Sequence, residues 1–137
     1  VRVWLVDSPA CFDRPGNPYL DDSGQPWGDN AARFALFCRI GARIARDGGG
    51  LGWRPEVVHA NDWQTGLLPL FLREAERRYS VTLALKTVFT IHNIAYQGVF
   101  PRKSYALTNL PEDLLTIDGL EYYDTDRNGE LVYGLTL

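Results

Sequence analysis

The sequence predicts an α/β protein, a parallel sheet with flanking helices. Short runs rich in β-branched residues alternate with longer segments whose apolar residues recur at helical spacing. Each of these short runs is followed directly by polar or turn-forming residues. This alternation is typical of βαβ units around a parallel sheet, and we see no repeat or linker that would divide the chain. We therefore expect residues 1–137 to form a single domain.

Three apolar runs are predicted to be strands. They cover residues 1–6, 56–60 and 86–91. Two segments that contain several prolines and glycines, residues 8–28 and 92–111, are predicted to be irregular. Long ordered loops in compact domains are more often functional than not, so we expect both segments to contribute to a site.

The first predicted helix begins near Asp29, with either Asp29 or Asn30 as its N-cap, and ends at the glycine run 48–50. Its arginines are predicted to lie on a solvated face: Arg33, Arg39, Arg43 and Arg46.

The second predicted helix spans roughly Trp63–Tyr79, and Asp62 is available to cap it. Pro69 leaves two alternatives open. Either the helix kinks at this residue, or it begins later with Pro69 in its first turn.

Composition and charge argue against several function classes. The net charge is −3, from 14 basic and 17 acidic residues, and no basic run is present, so we expect no nucleic-acid partner. No apolar stretch approaches about 18 residues, so no membrane-spanning helix is predicted. With two cysteines and no recognisable signal peptide, we expect a cytoplasmic protein, or one of the plastid stroma if it comes from a plant.

No metal site is predicted. The two histidines, His59 and His92, lack the neighbours of a zinc site. Residues 124–129 match the start of a calcium-binding loop, but Leu135 stands where a bidentate glutamate is required. The Asn128–Gly129 pair between two apolar runs is more typical of a hairpin turn.

Polar side chains follow each predicted strand, where ligands of open parallel sheets collect. Amides, carboxylates and aromatic rings together suit a sugar, which offers many hydroxyls and an apolar C–H face. The polar set after the second and third strands comprises Asn61, Asp62, Gln64, His92, Asn93, Tyr96 and Gln97. The chain contains neither a dinucleotide-binding glycine motif after a strand, nor a P-loop, nor a nucleophile elbow.

Four stretches, in order, resemble the bacterial glycogen synthase and plant starch synthase family. They are residues 12–19 (FDRPGNPY), 29–34 (DNAARF), 53–64 (WRPEVVHANDWQ) and 87–98 (TVFTIHNIAYQG). The resemblance covers roughly residues 1–123 and implies a Rossmann-like fold. The chain would be part of the N-terminal lobe of a two-lobed glycosyltransferase-B enzyme, incomplete at both ends.

The resemblance implies a retaining transfer of glucose from ADP-glucose to the non-reducing end of an α-1,4-glucan, without a metal or other cofactor. It implies that His92 lies against the donor glucose and that Asp62 shapes the sugar pocket, the two catalytic residues. Tyr19 would bind the sugar nucleotide, and Asn93, Tyr96 and Gln97 would contribute further substrate contacts. A C-terminal lobe, absent from this chain, would supply most nucleotide contacts, so we expect the fragment to be inactive alone.

Some features depart from the family pattern. Gln64 stands where many members have histidine, and residues 124–137 do not match the helix expected after Glu121. Two alternatives stay open: a non-catalytic glucan-binding or regulatory remnant, and a related transferase that uses a UDP-sugar.

Overall fold

The computed structural model describes residues 2–116, 118–125 and 131–136. The helices are α1 (Pro9–Phe12), α2 (Asn30–Asp47) and α3 (Leu67–Tyr79). The strands are β1 (Val57–Asn61), β2 (Lys86–Thr90), β3 (Val99–Pro101), β4 (Glu121–Thr125) and β5 (Leu131–Thr136).

Strands β1 and β2 form the parallel pair predicted from the sequence. The register runs from Val57 opposite Lys86 to Asn61 opposite Thr90. Helix α3 connects the two strands, as a parallel connection requires. The predicted α/β fold class is therefore confirmed.

Helix α2 ends where the glycine run was predicted to end it. Gly48 adopts a left-handed conformation with φ 79°, and its N–H donates to the carbonyl of Ile44. Asp29 precedes the helix, but its side chain makes no capping hydrogen bond.

Helix α3 begins later than Trp63. A single turn of 3₁₀ helix at Trp63–Thr65 precedes it, and Pro69 lies in its first turn. The second of the two alternatives for Pro69 is therefore correct, because the missing N–H of proline is no loss at the start of a helix.

The core lies mainly between α2 and α3. Small α2 residues face α3, and a side chain added at Gly41 would come within 2.9 Å of Leu68 Cδ1. This close approach buries Leu67 completely and leaves Cys38 only 1% exposed. The small side chains of α2 therefore determine how near the two helices lie.

The strand predicted at residues 1–6 is not present. Residues 2–7 have no regular structure, and Val3 and Leu5 are 75% and 87% exposed. A strand needs a neighbour for its N–H and C=O groups, and within the described residues the sheet of β1 and β2 does not extend to this segment. Val1 lies outside the described residues.

A second, antiparallel sheet in the order β3-β5-β4 was not predicted as a sheet. Its strand β3 lies in the segment 92–111, which we predicted to be irregular and which also contains a 3₁₀ helix at Arg102–Thr108. Strands β4 and β5 pair with Glu121 opposite Leu135, as expected of a hairpin. The predicted turn at Asn128–Gly129 and most of the calcium-type loop lie outside the described residues.

The buried thiol of Cys38 allows a first prediction. Burial raises its pKa from 9.0 to about 11, so the thiolate fraction at pH 8 falls about 100-fold. We expect alkylation of Cys38 by iodoacetamide to be slower than in urea by at least this factor, since burial also keeps the reagent from the thiol, when labelling is followed by mass spectrometry. Equal rates in the two conditions would contradict the buried packing.

The raised pKa of Cys38 also makes the stability of the fold depend on pH. The unfolded chain loses the thiol proton at a lower pH than the folded chain. The contribution of the protonated thiol to the free energy of unfolding is therefore fully present below about pH 9 and is lost as the pH approaches 11.

Candidate active site

The carboxyl ends of β1 and β2 meet at one edge of the sheet. Asn61, the last residue of β1, lies opposite Thr90. Asp62 then turns sharply with φ 58°, and its N–H donates to the carbonyl of Thr90 at 2.8 Å. With ψ 174° Asp62 lies outside the left-handed helical region that aspartate tolerates, in a conformation that is essentially confined to glycine, so its backbone is strained. The turn leaves the Asp62 carboxylate beside the chain that leaves β2.

His92 is held at two points in this turn. Its backbone N–H donates to Asp62 Oδ1 at 2.7 Å, and its ring Nε2 lies 3.0 Å from Asn61 Oδ1. The structure thus brings together the two residues predicted to be catalytic, His92 and Asp62. It adds Asn61, which sequence reasoning placed among the polar residues without giving it a role.

The prediction that Asp62 caps the following helix is wrong. Its side chain makes no capping hydrogen bond, because the carboxylate accepts the backbone N–H of His92 instead. The first turn is closed by Thr65, whose hydroxyl donates to the carbonyl of Asn61 at 2.7 Å.

The chain after His92 forms a compact loop at residues 92–98. Asn93 Oδ1 accepts the N–H of Ala95, and the backbone carbonyl of Asn93 accepts that of Tyr96. Gln97 Nε2 donates to the carbonyl of Ile94 at 3.1 Å. The side chains of Asn93 and Gln97 therefore shape the loop, while Tyr96 is 68% exposed and open to a ligand.

Trp63 lies between this loop and the loop that carries Tyr19. Gly98 has φ 59°, and a Cβ added there would lie 2.4 Å from the Trp63 ring, so only glycine fits. The Tyr19 ring centroid lies 6.2 Å from that of Trp63, and Phe34 packs edge-on against Trp63 at 4.9 Å. Trp63 is therefore part of the packing beneath the site, and Tyr19, 42% exposed, lies at its margin.

Arg33 anchors the loop that carries Tyr19, and our prediction that it lies on a solvated face is wrong. Arg33 is only 3% exposed. Its guanidinium donates to the carbonyl of Cys11 at 2.6 Å and to that of Pro18 at 3.0 Å, and it also bonds Asn30 Oδ1 at 2.6 Å. Asn30 Nδ2 in turn donates to the carbonyl of Tyr19 at 2.9 Å. The spacing of apolar residues along a helix carries no information about the backbone carbonyls of a distant loop. The periodicity therefore could not predict that Arg33 binds this loop.

A second contact fixes the same loop to the start of α2. Arg14 forms a bidentate ion pair with Asp29, at 2.8 and 2.6 Å, and its guanidinium lies 5.0 Å from the centre of the Trp27 ring. The hydrogen bonds from Arg14 lower the pKa of the Asp29 carboxyl. The loop is thus held at both ends by arginine contacts.

The site is an open edge rather than a closed cavity. Asn61, His92 and Tyr96 are all exposed. A cavity of about 380 Å³ lies between α2 and α3, with Arg39, Phe71 and Tyr79 in its lining, and it includes no residue of the site. The exposed amide, imidazole and phenol at this edge, together with the half-buried Asp62 carboxylate, can bind a polyol through several hydroxyls at once.

The described residues give no indication of a membrane span or a metal cluster. Within residues 2–116, 118–125 and 131–136, no helix is long and apolar enough to cross a membrane. In the same ranges, no three His, Cys, Asp or Glu side chains group closely enough to hold a metal ion.

Comparison with known proteins places the chain in a family. Residues 1–134 match the family described as the starch synthase catalytic domain. Glycogen synthase 1 of Methylococcus capsulatus is 50% identical over 123 residues, which are 90% of this chain and 24% of that protein. Glycogen synthase 2 of Nitrosococcus oceani is 52% identical over 122 residues, which are 89% of this chain and 23% of that protein. The chain thus spans about a quarter of the length of these relatives.

A solved structure has the same fold. The catalytic domain of Starch Synthase IV from Arabidopsis thaliana, bound to ADP and acarbose, superposes with a TM-score of 0.63 and 24% identity. The match covers 92% of this chain and 23% of that one. The predicted partial lobe of a glycosyltransferase-B architecture is therefore confirmed at the level of the fold. Since the family match extends over nearly the whole sequence, the chain belongs to the starch synthase catalytic domain family.

Proposed function

We propose that the full-length protein containing this chain is a retaining glucosyltransferase, which adds glucose from ADP-glucose to the non-reducing end of an α-1,4-glucan. The family match and the relatives named glycogen synthase support this activity. The ADP in the Arabidopsis starch synthase structure supports a nucleotide-sugar donor. The observation that carries the proposal is the contact of His92 with both Asp62 and Asn61 at one sheet edge.

In this proposal His92 lies against the donor glucose. Its ring bonds a sugar hydroxyl, and its backbone carbonyl faces the positive charge that develops at the anomeric carbon. The Asp62 carboxylate accepts the His92 N–H at 2.7 Å and so fixes the position of the backbone where it enters His92. The chain therefore contributes an electrostatic and positioning part of the reaction.

The predicted substrate contacts fall into two groups. Tyr19 stands on a loop fixed by Arg33 and Arg14, where an aromatic ring can lie against the sugar nucleotide. Tyr96 presents its ring and hydroxyl from the 92–98 loop, whose shape depends on Asn93 and Gln97. A C-terminal lobe would close over this edge and bind most of the nucleotide.

A transfer assay with the full-length protein tests the proposal. We expect labelled glucose to pass from ADP-glucose to glycogen, and we expect the 137-residue chain alone to transfer none. If the protein uses UDP-glucose in preference to ADP-glucose, the proposed reaction stands with UDP-glucose as its donor. Binding of glycogen without transfer from either donor would favour a glucan-binding module instead.

A further inference from the structure

Asn61 is the nearest side-chain partner of the His92 ring. Its Oδ1 lies 3.0 Å from His92 Nε2, within ordinary hydrogen-bond distance. The register of the sheet brings the two residues together. Asn61 ends β1 directly opposite Thr90, and the chain that leaves β2 reaches His92 two residues later. Whether Nε2 of the neutral ring carries a hydrogen depends on which end of the Asn61 amide faces it, since the amide oxygen accepts a hydrogen bond and the amide nitrogen donates one.

The surroundings of Asn61 indicate that its oxygen faces the ring. Asn61 Nδ2 lies 3.4 Å from the backbone carbonyl of His59, a group that only accepts hydrogen bonds. In the reversed orientation the amide oxygen would face this carbonyl oxygen, and the two would repel. The backbone of Asn61 is held as well, because its carbonyl accepts the Thr65 hydroxyl at 2.7 Å.

We propose that Asn61 is a positioning residue that holds His92 in the tautomer with its hydrogen on Nε2. An amide oxygen can only accept, so the ring nitrogen that faces it must donate. Nδ1 is then the ring nitrogen left for a ligand. In the neutral ring Nδ1 accepts a hydrogen bond from a sugar hydroxyl, and it donates one only when the ring is protonated.

This inference deepens the proposed function and rests on it for the identity of the ligand. Asp62 holds the backbone of His92, and Asn61 holds its ring, so the two neighbours fix different parts of one residue. Among the described residues, Asp62 is the only charged side chain that is hydrogen-bonded to His92, and this bond is to the backbone N–H. The tautomer therefore depends on the Asn61 amide rather than on a charged side chain next to the ring.

Nuclear magnetic resonance of the full-length protein, with histidine ¹⁵N-labelled in the ring, tests the tautomer without reference to activity. The signals of His92 are identified by their loss in His92→Gln. We expect the wild-type protein and Asn61→Asp, which keeps an acceptor, to show the hydrogen on Nε2. Asn61→Leu, which has no acceptor, is expected to shift towards a mixture of tautomers.

Two results would overturn the proposal. One is a wild-type spectrum with the hydrogen on Nδ1, and the other is an unchanged Nε2 tautomer in Asn61→Leu. Because the spectra require no turnover, a protein that fails to transfer glucose would contradict the proposed function and leave this test intact.

Kinetics measure what the positioning contributes. For Asn61→Leu we expect kcat to fall about 3- to 10-fold, the effect of one neutral hydrogen bond, with an unchanged melting temperature. A purely structural role would lower the melting temperature and leave the ring tautomer as it is. An unchanged kcat alongside a changed tautomer would show that the tautomer does not matter for transfer.

Discussion

Replacing His92 with alanine is expected to lower glucose transfer by the full-length protein by about 10²-fold or more. The change removes the imidazole that is proposed to bond the donor sugar, and it releases Asn61 from its ring partner. We expect the loss mainly in kcat, because the backbone carbonyl remains in the variant while the ring contact that orients the donor glucose for reaction is lost. Initial rates with ADP-glucose and glycogen measure this effect.

His59→Ala is a matched control, since it removes the other histidine of the same sheet. The His59 ring bonds the Thr90 hydroxyl at 2.8 Å and has no role in the proposed site. We expect its rate to stay within about 3-fold of wild type, the range of one exposed hydrogen bond. Equal losses in the two variants would mean that folding rather than chemistry explains the His92 effect.

Arg33→Met is expected to destabilise the fold by about 3 kcal/mol or more. The methionine keeps much of the apolar stem, but the carbonyls of Cys11 and Pro18 and the Asn30 side chain lose their buried donor. Each unsatisfied buried acceptor costs about 1–3 kcal/mol, part of which is recovered if water enters. Thermal denaturation followed by circular dichroism measures the change.

The same helix offers a control in Arg43→Met, because Arg43 is exposed. We expect its stability to stay within about 0.5 kcal/mol of wild type. Limited proteolysis adds a local readout. In Arg33→Met the first cuts should fall in residues 13–28, since this loop loses its anchor. An unaltered cleavage pattern together with an unaltered melting temperature would refute the anchoring role.

The predictable part of the fold depends on local patterns. Helix α2, β1, β2 and the glycine stop at Gly48 follow from periodicity and turn chemistry, and the structure confirms them. The segment 1–6 has equally strong strand propensity, yet residues 2–7 form no strand. Pairing is a tertiary property, and propensity alone does not supply a neighbouring strand.

The predictable part of the site is its location. Asp62 and His92 were expected at the sheet edge because they follow strands, and the structure places them in contact. Their catalytic roles are implied by the family resemblance and stay predictions. The contact between Asn61 and His92 depends on the register of two strands about 30 residues apart, which no local pattern encodes. The burial of Arg33 likewise depends on where a remote loop folds back, so its helical position alone was misleading.

Trp63 gives the 92–98 loop and the loop that carries Tyr19 a common support. Gly98 of the 92–98 loop meets one part of the indole, and Tyr19 of the other loop packs close to the same ring. Movement of either loop away from the ring would expose apolar surface of the indole that this loop now covers, so opening is unfavourable. Because both loops contact this one ring, a displacement of one loop is expected to disturb the packing of the other.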